Sequence, residues 1–139
     1  MLNLYYRIWA DAILFEKSKR GKNVNWKTIT LIAISSLQGL NLLVLLFLLR
    51  WLSRGRMPIL LPVSIFNMSA LNSACAIILI FFAPFLILNY LLVYYNNQYL
   101  EIIKKYSYRN GKLYRSYFLW SFGVIIIPIV FKLIFITIV

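Results

Sequence analysis

The chain has 139 residues, of which 63% are apolar, and it carries 15 Lys and Arg, three Asp and Glu, and no His. Soluble domains are typically about 25% charged, whereas this chain is 13% charged, so we expect lipid to cover part of its surface. One Cys and three scattered acids do not provide a metal site, a proton relay or paired acid–base groups. We therefore expect an integral membrane protein that is not an enzyme and binds no cofactor.

The N-terminal segment, residues 1–27, begins with a stretch that fits a helix over residues 2–18. Asn3, Arg7 and Asp11 fall on one stripe at helical spacing, and the apolar side chains fall largely elsewhere. This pattern is typical of an amphipathic helix at a membrane surface, with Arg7 and Asp11 forming a weak pair one turn apart. A polybasic run follows, comprising Lys17, Lys19, Arg20 and Lys22. It predicts binding to anionic lipid of the cytoplasmic leaflet, and docking to an acidic partner or to nucleic acid is the alternative.

Three apolar stretches are long enough to cross the roughly 30 Å hydrocarbon core of a bilayer as helices. Each is continuously apolar rather than alternating, which favours helices over the strands of a barrel. We predict spans at residues 28–52, 70–95 and 117–139. The predicted fold class is an all-α membrane protein with three transmembrane helices, an N-terminal amphipathic helix and a helical hairpin tip between the second and third spans.

The basic residues between the spans predict the orientation, because cytoplasmic loops carry an excess of Lys and Arg. Eleven of them precede the first span or lie between the second and third spans. The loop between the first and second spans, counted with the outer edge of the first span, carries three, Arg50, Arg54 and Arg56. We therefore expect the N-terminus in the cytoplasm and the C-terminus outside.

The two connections between the spans differ in character. Residues 53–69 are apolar although they follow a complete span, and two prolines interrupt any straight helix there, so we expect an interfacial or re-entrant piece. Residues 96–116 should extend the second span as a helix and turn at Asn110 and Gly111, where glycine fits a left-handed cap. This basic, Tyr-rich hairpin adds predicted contacts to anionic lipid at Lys104, Lys105, Arg109 and Lys112.

Polar side chains inside the spans need partners, because hydrocarbon offers no hydrogen bonds. The favoured interpretation is packing between helices or against a partner, and the alternative is a polar lining for a pathway. The candidates are Ser35, Gln38, Asn41, Asn72, Ser73 and Asn89.

Lys132, in the third span, is a separate case, because a charge in hydrocarbon is costly and often marks function. No predicted span contains an acid that could neutralise it. Its ammonium group could reach the outer interface, pair with an acid of another subunit, or face a water-filled pore.

Residues 5–13 (YYRIWADAI), 25–30 (NWKTIT) and 89–106 (NYLLVYYNNQYLEIIKKY) carry a resemblance to a known group. In these stretches the chain resembles uncharacterised short polytopic membrane proteins of Bacteroidota-type bacteria. The resemblance implies a location in the bacterial inner membrane, which would place the C-terminus in the periplasm. It implies no activity and no site residues.

Three functions are compatible with these patterns. We expect a small non-catalytic accessory or structural subunit that stabilises or assembles a larger membrane protein, and an acid for Lys132 is one contribution that the partner could make. The alternative is a homo-oligomeric pore-forming or membrane-permeabilising effector, in which Ser35, Gln38 and Asn41 would line the pore. The basic, Tyr-rich face could also bind nucleic acid, but anionic lipid explains the same residues with fewer assumptions.

Overall fold

A computed structural model describes residues 2–20, 25–54 and 64–137 of the protein, with side chains excepted at residues 2, 20 and 131–137. These described residues form helices and turns, with no strand among them, as the all-α prediction requires. The α-helices are α1 (Leu2–Arg20), α2 (Trp26–Leu52), α3 (Ser69–Ile77), α4 (Ala83–Asn89), α5 (Gln98–Lys105) and α6 (Lys112–Thr137). The predicted interfacial or re-entrant piece at 53–69 lies largely outside the described residues, which omit residues 55–63.

Three helical stretches are long and apolar enough to cross a membrane, as predicted: Trp26–Leu52, Ser69–Lys105 and Lys112–Val130. The second stretch joins α3, α4 and α5 through two π-helical segments, Ile78–Phe82 and Tyr90–Tyr94. The first π-helical segment ends just before the turn that contains Pro84, which has no backbone N–H to donate and crowds the preceding carbonyl. A wider helical turn relieves that conflict.

The predicted hairpin between the second and third spans is wrong in two details. The helix does not run on unbroken past residue 95, because Asn96 and Asn97 adopt left-handed backbone conformations, with φ of 50° and 56°. Asn is one of the few residues that tolerates this conformation, so the pair breaks the helix. Gly111, with φ of 73°, does turn the chain, but it precedes α6 and does not cap α5, which ends at Lys105.

The three apolar stretches are arranged as a row with α2 in the middle. Helix α2 packs against α6 and also against α4 and the π-helical segment Ile78–Phe82. Within the described residues, α6 and the second stretch share at most marginal contact. Helix α1 lies across one end of the row and packs against α2, α5 and α6.

The buried core lies at this end of the row, and we call it the junction. Its large buried residues are Trp9, Ile13, Ile34, Val93, Tyr94, Ile102 and Tyr114. The rings of Trp9 and Tyr94 meet edge to face, with 5.8 Å between their centroids. The turn of α1 from Trp9 to Ile13 is completely buried, Asp11 included, so the polar stripe predicted for this helix does not hold at Asp11. Small side chains on both sides of Asp11 let the neighbouring helices cover α1 on more than one face.

Candidate functional site

Asp11 joins the start of α6 to α1 through four backbone hydrogen bonds. Its Oδ1 accepts the N–H groups of Arg109 and Gly111, at 2.9 and 3.0 Å. Its Oδ2 accepts those of Leu113 and Tyr114, at 2.8 and 3.2 Å. The first N–H groups of a helix have no acceptor within the helix, and a negative charge there is favourable for the helix dipole. Asp11 therefore caps α6 from a different helix.

Sequence reasoning missed this role and paired Asp11 with Arg7, one helical turn away. The cap joins residues 98 to 103 positions apart, which no local spacing can reveal. Two signals were present in the sequence. Asp11 stands in the middle of an apolar turn, and Gly111, directly before α6, has no side chain with which to cap that helix itself.

Asn89 is the centre of a second polar cluster, which ties α1, α2 and α4 together. It is completely buried. Its Nδ2 donates to Ser35 Oγ at 2.9 Å and to Gln38 Oε1 at 2.7 Å, and its Oδ1 accepts the Tyr5 hydroxyl at 2.7 Å. Burial raises the pKa of Tyr5 to about 12, so this hydroxyl keeps the proton that it donates. Ser35, Gln38 and Asn89 thus act in packing between helices, and Tyr5 is the member that sequence reasoning missed.

Asn41 bonds α2 to α6 without contributing to that cluster. Its Nδ2 donates to Ser121 Oγ at 3.0 Å, and Ser121 is buried. The Asn41 Oδ1 is buried with no hydrogen-bond partner among the described residues. Ser121 was not singled out in the sequence, because a single Ser in an apolar span is a weak signal.

Asn72 and Ser73 lie apart from these clusters, at the start of α3. Asn72 Oδ1 accepts the N–H groups of Ile65 and Phe66 at 3.0 and 2.8 Å, and its Nδ2 donates to the Phe66 carbonyl at 2.8 Å. Ser73 donates to the carbonyl of Ser69, within its own helix, at 3.0 Å. Both residues therefore serve local structure at this end of the helix.

The two basic segments, far apart in sequence, meet around the ring of Phe15. The guanidinium carbon of Arg115 lies 4.9 Å from the centroid of that ring, and Lys19 Nζ lies 5.7 Å from it. The hydroxyls of Ser18 and Tyr108 are 3.5 Å apart, which places the end of α1 beside the connection between α5 and α6. Several predicted lipid-binding residues are exposed on these segments and at the end of α5: Lys17, Lys19, Lys104, Lys105, Arg109 and Lys112.

Three predicted site residues cannot be placed in the same detail. Lys132 belongs to α6 by its backbone, but its side chain lies outside the described part of the structure. The same holds for Arg20 at the end of α1, and Lys22 lies outside the described residues altogether. Their predicted contacts stay predictions.

Comparison with known proteins adds no relative. The chain matches no protein-family model, no curated protein and no solved structure. The resemblance to short membrane proteins of Bacteroidota-type bacteria therefore stays a prediction, and the function has to be argued from the geometry.

Proposed function

We propose that the chain is a small non-catalytic subunit that stabilises or assembles a larger protein in a bacterial inner membrane. The observation that supports this most is the exposure of α6. Only 11% of its most apolar 18-residue window is buried within the chain, against 28% for α2. A partner that packs on α6 would cover surface that the described residues leave exposed.

Trp120 indicates where such a partner would pack. It is 75% exposed and lies eight residues after Lys112 in α6, or about 12 Å along the helix axis. Trp normally sits at the membrane–water interface, where its indole N–H finds a partner. If Lys112 lies at headgroup level, Trp120 lies deeper than that, and a partner protein would supply both the contact area and a hydrogen-bond acceptor. Exposed Trp is also a common anchor of protein interfaces.

The polar clusters favour a subunit over a pore-forming effector. In a pore built from copies of this chain, Ser35, Gln38 and Asn41 would have to face water. Instead, Ser35 and Gln38 bond Asn89, and Asn41 bonds Ser121, all within one chain. Opening these bonds toward a pore would leave buried groups on the neighbouring helices without partners, which costs free energy. The polar groups are therefore better suited to hold the three helices in a fixed arrangement.

The distribution of basic residues and the resemblance support the proposed location. The excess of basic residues at the junction end supports a cytoplasmic N-terminus and a periplasmic C-terminus. The inner-membrane location follows from the resemblance named above. For Lys132, which belongs to the same helix as Trp120, we expect the partner to supply an acid.

Affinity purification of the tagged full-length chain from its native host, in mild detergent, tests the proposal. We expect a larger membrane protein to co-purify stoichiometrically. Trp120→Leu keeps an apolar helix but removes the anchor, and it should weaken the complex by about 2 kcal/mol, or about thirtyfold.

Leu79→Ala is the matched control, because Leu79 is 53% exposed on the second stretch, away from α6. It should leave co-purification unchanged. Recovery of a lone monomer, even after cross-linking in intact cells, would contradict the proposal. Equal retention of the partner by both variants would contradict packing of the partner at Trp120.

A further inference from the structure

We propose that Phe15, Lys19 and Arg115 form a binding site for one anionic phospholipid, with its phosphate between the two cations and an acyl chain along α6. This site is more specific than a general attraction of basic residues to a membrane. It includes Arg115, and its defining feature is the shared ring of Phe15.

Two positive charges converge at the ring of Phe15. Lys19 and Arg115 both lie within 6 Å of the Phe15 ring centroid, and both are exposed. Two like charges at one ring repel each other, and an anion between them would offset that repulsion. Asp11, the acid of α1 that caps α6, has both oxygens engaged by backbone N–H groups. Phosphate oxygens, like those of a carboxylate, match a guanidinium and an ammonium together.

The Phe15 ring is held in a fixed position, which makes the site preorganised. Its edge lies against Gly111, where an added Cβ would come within 2.5 Å of Phe15 Cδ2. It also packs against the ring of Tyr114, with 6.2 Å between centroids. The turn that holds Gly111 is itself bonded to Asp11. The cap of α6 therefore fixes the platform on which the two cations rest.

The exposed apolar surface of α6 beside Arg115 identifies the anion as a lipid. Arg115 begins an exposed stripe of α6 that continues at helical spacing through Phe118, Leu119, Phe122 and Ile126. Phe118 starts about 4.5 Å further along the helix axis, so the cation lies within one turn of apolar surface. The rings of Phe118 and Phe122 are 4.8 Å apart and form a continuous apolar strip. A free phosphate or a nucleic acid would use the cations but not this strip.

Native mass spectrometry of the purified full-length chain in non-ionic detergent tests the site, with dioleoylphosphatidylglycerol as the probe. Arg115→Gln and Lys19→Gln should each weaken binding about fivefold, and the double variant about 25-fold. Arg115→Lys keeps the charge and should recover most of the affinity. Arg7→Gln removes an exposed cation of α1 that is not among the predicted lipid contacts, and it should leave the dissociation constant near the wild-type value. Thermal unfolding checks that each variant is folded, and Lys19→Gln, at the exposed end of α1, keeps the test decisive if Arg115→Gln does not fold.

Three further probes separate lipid from other anions. Dioleoylphosphatidylcholine should bind more weakly, because its choline cancels the charge of the phosphate. Inorganic phosphate and a short single-stranded oligonucleotide should not displace phosphatidylglycerol. Displacement by either one would overturn the assignment to lipid. Equal losses from Arg115→Gln and Arg7→Gln would overturn the defined site in favour of a diffuse basic surface.

Discussion

Asp11 shows how one buried acid can organise a chain whose remaining charges are mostly basic. A buried carboxylate without partners would be costly, but this one receives four N–H donors and faces the positive end of a helix. The hydrogen bonds also stabilise the donors, because two of them belong to the first turn of α6, where N–H groups have no acceptor within the helix. Removal of the carboxylate should therefore affect both α1 and α6.

We predict that Asp11→Asn lowers the free energy of unfolding by about 3 kcal/mol, because one of the two accepting oxygens would become an NH₂ group that faces two backbone N–H donors. Unfolding by titration with a denaturing detergent in mixed micelles would measure the loss. Glu101→Gln is the matched control, since Glu101 is an exposed acid of α5. A similar small loss for both variants would mean that the cap contributes little.

At the scale of elements, α2 and the second apolar stretch approach closely at Gly39. An added Cβ on Gly39 would collide with the backbone carbonyl of Phe81, whose carbon would lie 3.0 Å away. Phe81 belongs to the π-helical segment Ile78–Phe82, and the atoms nearest to the added Cβ are backbone atoms. They cannot move away as a flexible side chain could. The glycine is therefore required by packing, and not by its conformational freedom.

Gly39→Ala should consequently lower the free energy of unfolding by about 2 kcal/mol, since overpacking forces the helices apart. Gly123→Ala provides the control in the same kind of helix, because nothing lies within 4 Å of a Cβ added there. That variant should be neutral or slightly stabilising, as Ala favours a helix more than Gly does. Thermal unfolding of the two variants side by side would decide; equal midpoints would indicate that α2 is not packed this tightly.

Local patterns account for much of the fold. The first span, predicted at residues 28–52, is close to Trp26–Leu52, and the predicted end of the second span at residue 95 lies next to the break at Asn96. The break itself and the π-helical turns were not predicted, because apolar composition fixes the extent of a helix but not its internal geometry. Polar residues in the spans were recognised as groups that need partners, yet the pairing with Tyr5 depends on contacts 84 residues apart. Such contacts depend on how α1 folds back, which periodicity does not record.

At the scale of the whole molecule, the junction holds a buried core, whereas the helices beyond it are largely exposed. Asp11 and Asn89 tie four helices together at the junction, while the apolar stretches beyond it remain largely exposed within the chain. A partner or lipid can therefore pack on the open helices without disturbing the junction. This division fits a subunit that is rigid at one membrane face and completed by its surroundings along the rest.

The junction also makes the orientation of the whole chain in the membrane testable. Because α1 contacts the connection between α5 and α6, both basic segments lie at the same end of the molecule. If the three apolar stretches cross a membrane, one choice is left, which is the side of the membrane that this end faces. The excess of Lys and Arg favours the cytoplasm.

We predict that, in a Cys75→Ser background, Ser107→Cys reacts with a membrane-impermeant maleimide only in inverted vesicles. Ser107 lies in the connection between α5 and α6, and Ser64, which precedes α3, is its counterpart at the other end of the second stretch. Ser64→Cys should react only in right-side-out vesicles, and both serines are exposed. Labelling of both cysteines from one side would contradict the crossing of the second stretch. Reversed labelling would instead support the crossing and contradict a cytoplasmic junction. The experiment therefore tests the crossing and the orientation separately.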